Sequence, residues 1–262
     1  MREFLLVEEN LRCAMRFFGE ATGTGEVRAL DRTVAMYSGL EYGVFNISLL
    51  TGPATASEGG LDAALTEAAR YFKQRTKRWS FWLCEDLLDA STRRKARQIC
   101  HDFGLRPISH PPGMVASKLL SPVRPLPKIE CVPVDDEKTR CAFAEITSVC
   151  FEIPPGIANA VYGPETAWRG AYRGFVGLVD GRPIAIAAMV EAAGALGIYS
   201  LATIPSHRHL GYGEALLRAA AAASRPQSSV EPFLLQSTEA GHELYRRMGF
   251  RDVAKFTVYL TR

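Results

Sequence analysis

The chain has 262 residues, is 47% hydrophobic and 23% charged, and carries a formal net charge of +3 at pH 7. This composition fits a soluble globular protein and excludes a disordered one. The small positive excess lies in the first half, because residues 128–262 hold as many acidic as basic side chains. Neither half supplies the field that nucleic acid binding needs.

Along the chain, "MREFLLVEENLRC" places charges on both sides of a very short apolar patch, unlike a signal peptide. No apolar stretch is long enough for a membrane helix. The nearest, Pro183 to Pro205, is interrupted by Glu191 and by a turn around Gly194. The expectation is a cytoplasmic protein with no membrane partner. "EYGVFNISLL" reads as a strand, "GGLDAALTEAARYFKQRT" as a helix and "RWSFWLCE" as a strand. "STRRKARQICHDFGLR" reads as a helix and turn, and "GMVASKLL" as a strand. The basic clusters "KQRTKR" and "RRKAR" fall on helices and read as solvated faces.

"SPVRPLPK" (residues 121–128) carries Pro122, Pro125 and Pro127, which exclude helix and favour extended chain. It reads as a linker between a domain at 1–120 and a second at 129–262. In the second, "IECVPV" is a strand and "EKTRCAFAEITSVCF" a helix that "PPG" ends. A short helix follows at Ile157–Val161. "GFVGLVDGRPIAIAAMV" is a hairpin turning at Asp180-Gly181. "LGIYSLATI" is a strand, followed by the glycine-bearing "RHLGYG" and a helix to about Ser224. "EPFLLQST" is a strand, "AGHELYRRM" a helix and "AKFTVYL" a closing strand. The fold class is α/β with a mixed sheet. The turn "DFGLR" recurs as "RMGFR" 145 residues later, which points to an internal duplication of a half-domain.

The six cysteines, Cys13, Cys84, Cys100, Cys131, Cys141 and Cys150, include no C-x-x-C pair. They read as free thiols in a reducing cytoplasm. Five histidines with no H-x-x-x-H spacing speak against a metal site.

The glycine loop narrows the ligand. A dinucleotide fold needs a third glycine, where Leu216 stands, and an acid at the end of the next strand, whereas Glu231 is at its start. A triphosphate loop needs G-K-[ST], but Gly213 is followed by Glu214 and Ala215. What remains is R-x-x-G-x-G at Arg208, Gly211 and Gly213. Glycines that let amides converge on a helix N-terminus suit a pyrophosphate. Two glycines before a helix also suit an ordinary turn.

"YSLATIPSHRHLGYGEALL" together with "FLLQSTEAGHELYRRMGF" resembles the GNAT acetyltransferase superfamily over residues 128–262. Both the R-x-x-G-x-G loop and the later L-Y-x-x-x-G-F (Leu244, Tyr245, Gly249, Phe250) are present. The resemblance implies the GNAT acyl-CoA N-acyltransferase fold in tandem, with a degenerate first copy. It implies acetyl-CoA as cofactor, its pantetheine arm along Leu201, Ala202 and Thr203. It puts the pyrophosphate on Arg208, His209, Leu210, Gly211, Tyr212 and Gly213. Ser237 and Thr238 fall near the slot where related enzymes often have an asparagine that bonds pantetheine. It assigns Tyr245 to protonate the leaving sulfur. Glu191 is the first candidate for the base, with Glu152 and Glu239 behind it, and a water relay would remove the need for one. The first domain lacks the loop motif and has Cys100 in the place of Tyr245, so one active site is expected, in the second domain. The acceptor is a small-molecule or peptide amine of open identity. Donor chain length and oligomeric state are open too, and a non-catalytic acyl-CoA-binding module is the alternative.

Overall fold

The computed structural model describes residues 2–56, 60–76, 78–224 and 232–261. Its first half runs α1 (Glu3–Glu20), β1 (Glu26–Ala29), β2 (Thr33–Tyr37), β3 (Ile47–Leu50), α2 (Gly60–Lys73), β4 (Ser80–Cys84), α3 (Ala90–Asp102), β5 (Leu105–Ser109) and β6 (Pro112–Ala116). The second half runs β7 (Glu130–Pro133), α4 (Glu137–Phe151), α5 (Pro155–Tyr162), β8 (Tyr172–Val179), β9 (Arg182–Ala192), β10 (Ala195–Thr203), α6 (Tyr212–Ser224), β11 (Phe233–Gln236), α7 (Glu239–Arg247) and β12 (Arg251–Thr261). No helix among the described residues is long and apolar enough to cross a membrane.

Local chemistry sets these boundaries. Asp136 and Thr139 form a capping box that starts α4. The helix stops at Glu152 in a left-handed conformation (φ 55°), just before Pro154 and Pro155. Asp89 caps α3 by accepting from the amides of Ser91 and Thr92. Asp180 and Gly181 both take positive φ (50° and 72°), the turn expected between β8 and β9.

The chain divides into two compact units. The major unit comprises Met1–Phe17 and Met114–Asp252, the minor unit Phe18–Gly113 and Val253–Arg262. In the major unit the strand order is β6-β11-β10-β9-β8-β7. β7, β8, β9 and β10 are antiparallel neighbours, while β10 and β11 are parallel. Its core joins Met189, Ile198, Leu216, Leu217, Phe233 and Phe250, from the sheet, α6 and the turn after α7. In the minor unit the order is β1-β2-β3-β4-β12, with β5 also on β12 and β3 parallel to β4. Phe72 stacks on Trp79 at 5.1 Å and Phe18 on Phe45 at 4.8 Å inside it.

The duplication is visible in the backbone. β3, α2, β4 and α3 repeat the order of β10, α6, β11 and α7, each set with one parallel strand pair. Gly104 and Gly249 both take positive φ (76° and 100°). Each donates its amide three residues back, Gly104 to His101 O at 2.9 Å and Gly249 to Arg246 O at 3.1 Å. Cys100, in the place of Tyr245, is fully buried, and burial pushes its thiol up to about 12.

The units differ from the expected bounds of 1–120 and 129–262 at both ends. The first 17 residues belong to the major unit, and the closing strand from Val253 belongs to the minor one. The physical reason is that two similar halves each leave an equivalent parallel strand with a free edge. β6 borders β11 and β12 borders β4. Strand periodicity cannot say which of two like edges is taken. Helix α1 is also absent from the sequence reading. Its buried face includes Glu8 and Asn10, which interrupt the apolar periodicity that marks a helix.

Asn10 explains how α1 is held. Its side-chain amide donates to Val190 O at 3.2 Å, Ala192 O at 2.9 Å and Ala195 O at 3.3 Å. Its oxygen accepts from the Tyr199 hydroxyl at 2.7 Å. Phe17 stacks on Tyr172 at 4.3 Å and on Tyr162 at 5.5 Å.

Candidate active site

The parallel strands β10 and β11 are paired only at Leu196–Phe233 and Gly197–Leu234. Beyond those two positions no pairing joins them among the described residues. On the other side of β10 the ladder also breaks. Tyr199 faces Ala188 and Ala202 faces Ile186, so Ser200 and Leu201 share one partner position on β9. Ser200 takes φ 46° there, a left-handed conformation that is uncommon outside glycine. The Ser200 hydroxyl lies 2.7 Å from that of Tyr172 and bonds Tyr162 as well. Burial raises both tyrosines above their ordinary range, so both stay protonated.

A groove of about 1080 Å³ opens past the paired end of β10 and β11. Leu201, Ala202 and Thr203 line it from the strand, as expected. Arg208, His209, Gly211, Tyr212 and Gly213 line it from the loop, and Thr238 and Tyr245 from the opposite side. His209 and Gly211 take φ 64° and 92°, which curls the loop back towards the start of α6. Ala215 makes the first intrahelical bond, to Gly211 O at 3.0 Å. The amides of Tyr212, Gly213 and Glu214 come before it and are the ones a helix start leaves for an anion. A Cβ on Gly213 would lie 3.3 Å from Thr203 Oγ1, inside the cradle. Gly213→Val therefore places methyl groups over those amides. Its expected result is coenzyme A binding weaker by about 10-fold or more with unchanged circular dichroism, read by calorimetry.

Other expected site residues lie elsewhere. Leu210 is 56% exposed and outside the lining. Ser237 is fully buried, and its hydroxyl donates to Thr238 O at 2.8 Å. Thr238 lines the groove, but its oxygen is already used as the cap of α7, accepting from Gly241 N at 3.2 Å. Arg208 spends Nε on Thr203 O at 3.0 Å, tying the loop to the end of β10.

Glu191 is not brought to the groove. It sits opposite Leu196, beside Arg173 at 3.8 Å. That is five residues before Leu201, roughly 16 Å along the strand at about 3.3 Å per residue. A role as base is not compatible with that placement. The strand's length is the reason: Glu191 is close to β10 in sequence but at its wrong end. Glu152 is the exposed end of α4 and Glu239 the exposed first residue of α7, and neither lines the groove. Glu231 lies outside the described residues. Among the described residues no three His, Cys, Asp or Glu side chains gather as metal ligands would.

Tyr245 is buried on α7, its ring edge-on to Phe250 at 5.7 Å between centroids. A Cβ on Gly241 would lie 2.9 Å from the Tyr245 ring, so glycine one turn earlier gives the ring its place. Burial raises the phenol well above its usual value, and it keeps its proton at neutral pH. Sequence reasoning missed Val123, Arg124, Cys150 and Phe151, which also line the groove. No motif marks them. Ser200 was invisible for a related reason, because a bulge leaves no compositional trace.

Residues 170–252 match the family model of the acetyltransferase (GNAT) domain. The matched stretch spans the splayed strands, the glycine loop and Tyr245. The chain's fold is that of a GCN5-related N-acetyltransferase from Kribbella flavida, at 17% identity and a TM-score of 0.70 over 98% of this chain and 95% of that one. A GCN5-related N-acetyltransferase from Sphaerobacter thermophilus is similar at 16% identity and a TM-score of 0.57, over 89% of this chain and 82% of that one. A functionally unknown conserved protein from Staphylococcus epidermidis is similar at 13% identity and a TM-score of 0.59, over 89% of this chain and 92% of that one. A search of the curated proteins found no match.

Proposed function

We propose that the major unit is an acetyl-CoA-dependent N-acetyltransferase acting on a primary amine of a small molecule or peptide. The observation that carries this reading is one continuous groove with the glycine loop's amides at one part and the Tyr245 phenol at another. The residues present fit coenzyme A. The helix-start amides and Arg208 suit its pyrophosphate, and the stretch Leu201–Thr203, open on the side that faces β11, offers backbone groups to its pantetheine amides.

When bound, acetyl-CoA supplies an acetyl group already activated as a thioester. The amide of Leu201, at the bulge, would be the donor to the thioester carbonyl oxygen and would stabilise negative charge there. Tyr245, which holds its proton at neutral pH, would be the proton source for the leaving thiolate. The amine attacks directly, and its proton leaves through water, since no carboxylate base is needed where the amine arrives neutral. Six free thiols fit a reducing, cytoplasmic setting.

The test is release of free thiol from acetyl-CoA across a panel of small amines and peptides, with coenzyme A binding measured in parallel. Amine-dependent release supports the enzyme. Tight binding with no release from any amine overturns it in favour of a non-catalytic acyl-CoA-binding module.

A further inference from the structure

The proline-rich segment 121–128, expected as a linker between domains, lies wholly within the major unit. Leu126 and Pro127 lie against the glycine loop: a Cβ on Gly211 would be 3.0 Å from Pro127 Cδ and 3.7 Å from Leu126 Cδ2. Val123 and Arg124 line the groove itself. Arg124 Nη2 donates to His209 O at 3.0 Å, which fixes the guanidinium at the rim of the loop. Pro122, Pro125 and Pro127 restrict the backbone on both sides of it.

The charges around the groove single out this arginine. Glu214 is held by Arg218 at 2.8 Å, and Arg247 lies 3.5 Å from Glu243. Arg208 and Arg124 are the lining cations with no carboxylate partner among the described residues. Each uses one donor on a backbone carbonyl, Arg208 also bonds the Cys150 side chain, and a guanidinium has five donors. Two such groups beside open helix-start amides form a site for a phosphorylated ligand.

We propose that Arg124 is a phosphate ligand for coenzyme A, which makes the proline-rich segment part of the cofactor site. This rests on the acetyltransferase reading above. The phosphate is either the 3′-phosphate or the pyrophosphate, and both offer the same chemistry to a guanidinium.

The test is calorimetry of the full chain and its Arg124→Ala and Arg124→Lys variants with coenzyme A, dephospho-coenzyme A and pantetheine. Arg124→Ala is expected to weaken coenzyme A binding about 10-fold, with Arg124→Lys in between and pantetheine unaffected. The salt dependence of the dissociation constant becomes shallower in Arg124→Ala, because one screened ionic contact is gone. If dephospho-coenzyme A binding is unchanged by the substitution, the 3′-phosphate is the partner. If it weakens equally, the pyrophosphate is. Unchanged coenzyme A affinity overturns the proposal. So does weaker binding with an unchanged salt dependence, which assigns Arg124 to holding the loop through His209 only. Failure of the unaltered protein to bind coenzyme A removes the acetyltransferase reading itself, a result distinct from either.

Discussion

Replacing Tyr245 with phenylalanine is expected to lower kcat by about 10²–10⁴-fold, the range for loss of a positioned general acid. The ring's contacts with Phe250 and across Gly241 are retained, so coenzyme A affinity and the fold stay as they are. The steady-state signature is a fall in kcat and in kcat/KM by the same factor. The pH profile gives a second readout. Burial raises the phenol above its usual 10.0. A group that must be protonated loses its role only as pH rises through its folded pKa. Tyr245 therefore contributes no falling limb below pH 10, and a loss of rate at lower alkaline pH belongs to another group. An unchanged kcat in the variant would return Tyr245 to a packing role.

The largest expected effect on stability is at Asn10 and Gly197. Asn10→Ala removes the amide that satisfies three strand carbonyls and the Tyr199 hydroxyl. Leaving such buried groups unpaired is expected to cost about 3 kcal/mol in urea unfolding. Gly197 is the matching surface. A Cβ there would lie 2.1 Å from Asn10 Oδ1 and 2.6 Å from Tyr199 Cε2, so Gly197→Ala is expected to cost about 3 kcal/mol by overpacking. The two changes act on one contact. The double variant should be less destabilised than the sum, by at least about 1 kcal/mol. Strict additivity would show that Asn10 does not set the space at Gly197.

The loop and strand that line the groove were legible because they form short, contiguous sequence. Arg208, Gly211 and Gly213 sit in one loop, and the Glu214, Ala215 and Leu216 that follow removed the triphosphate and the dinucleotide. Tyr245 was legible through the turn behind it. Glu191 misled because sequence gives proximity along a strand but not which end of the strand meets the cleft. Ser200 left no sign, since its meaning depends on the register of β9. Arg124 was read as part of a connector because proline density reports stiffness and not what the stiff segment lies against. The half-domain repeat was legible in "DFGLR" and "RMGFR". The choice of strand edges was not, because both halves present the same edge.

That choice of edges governs how the protein can be made. Asn10 waits for Tyr199, 189 positions later, before its amide is matched. The minor unit waits for the strand that begins at Val253. The minor unit, begun at Phe18, lacks a strand until after the major unit's last residue, Asp252, has been made, so the halves do not mature in the order in which they are written. Contacts so distant in sequence also make slow, late-closing folding the rule. Cutting the gene at the proline-rich segment would give two fragments, each missing a piece that the other carries.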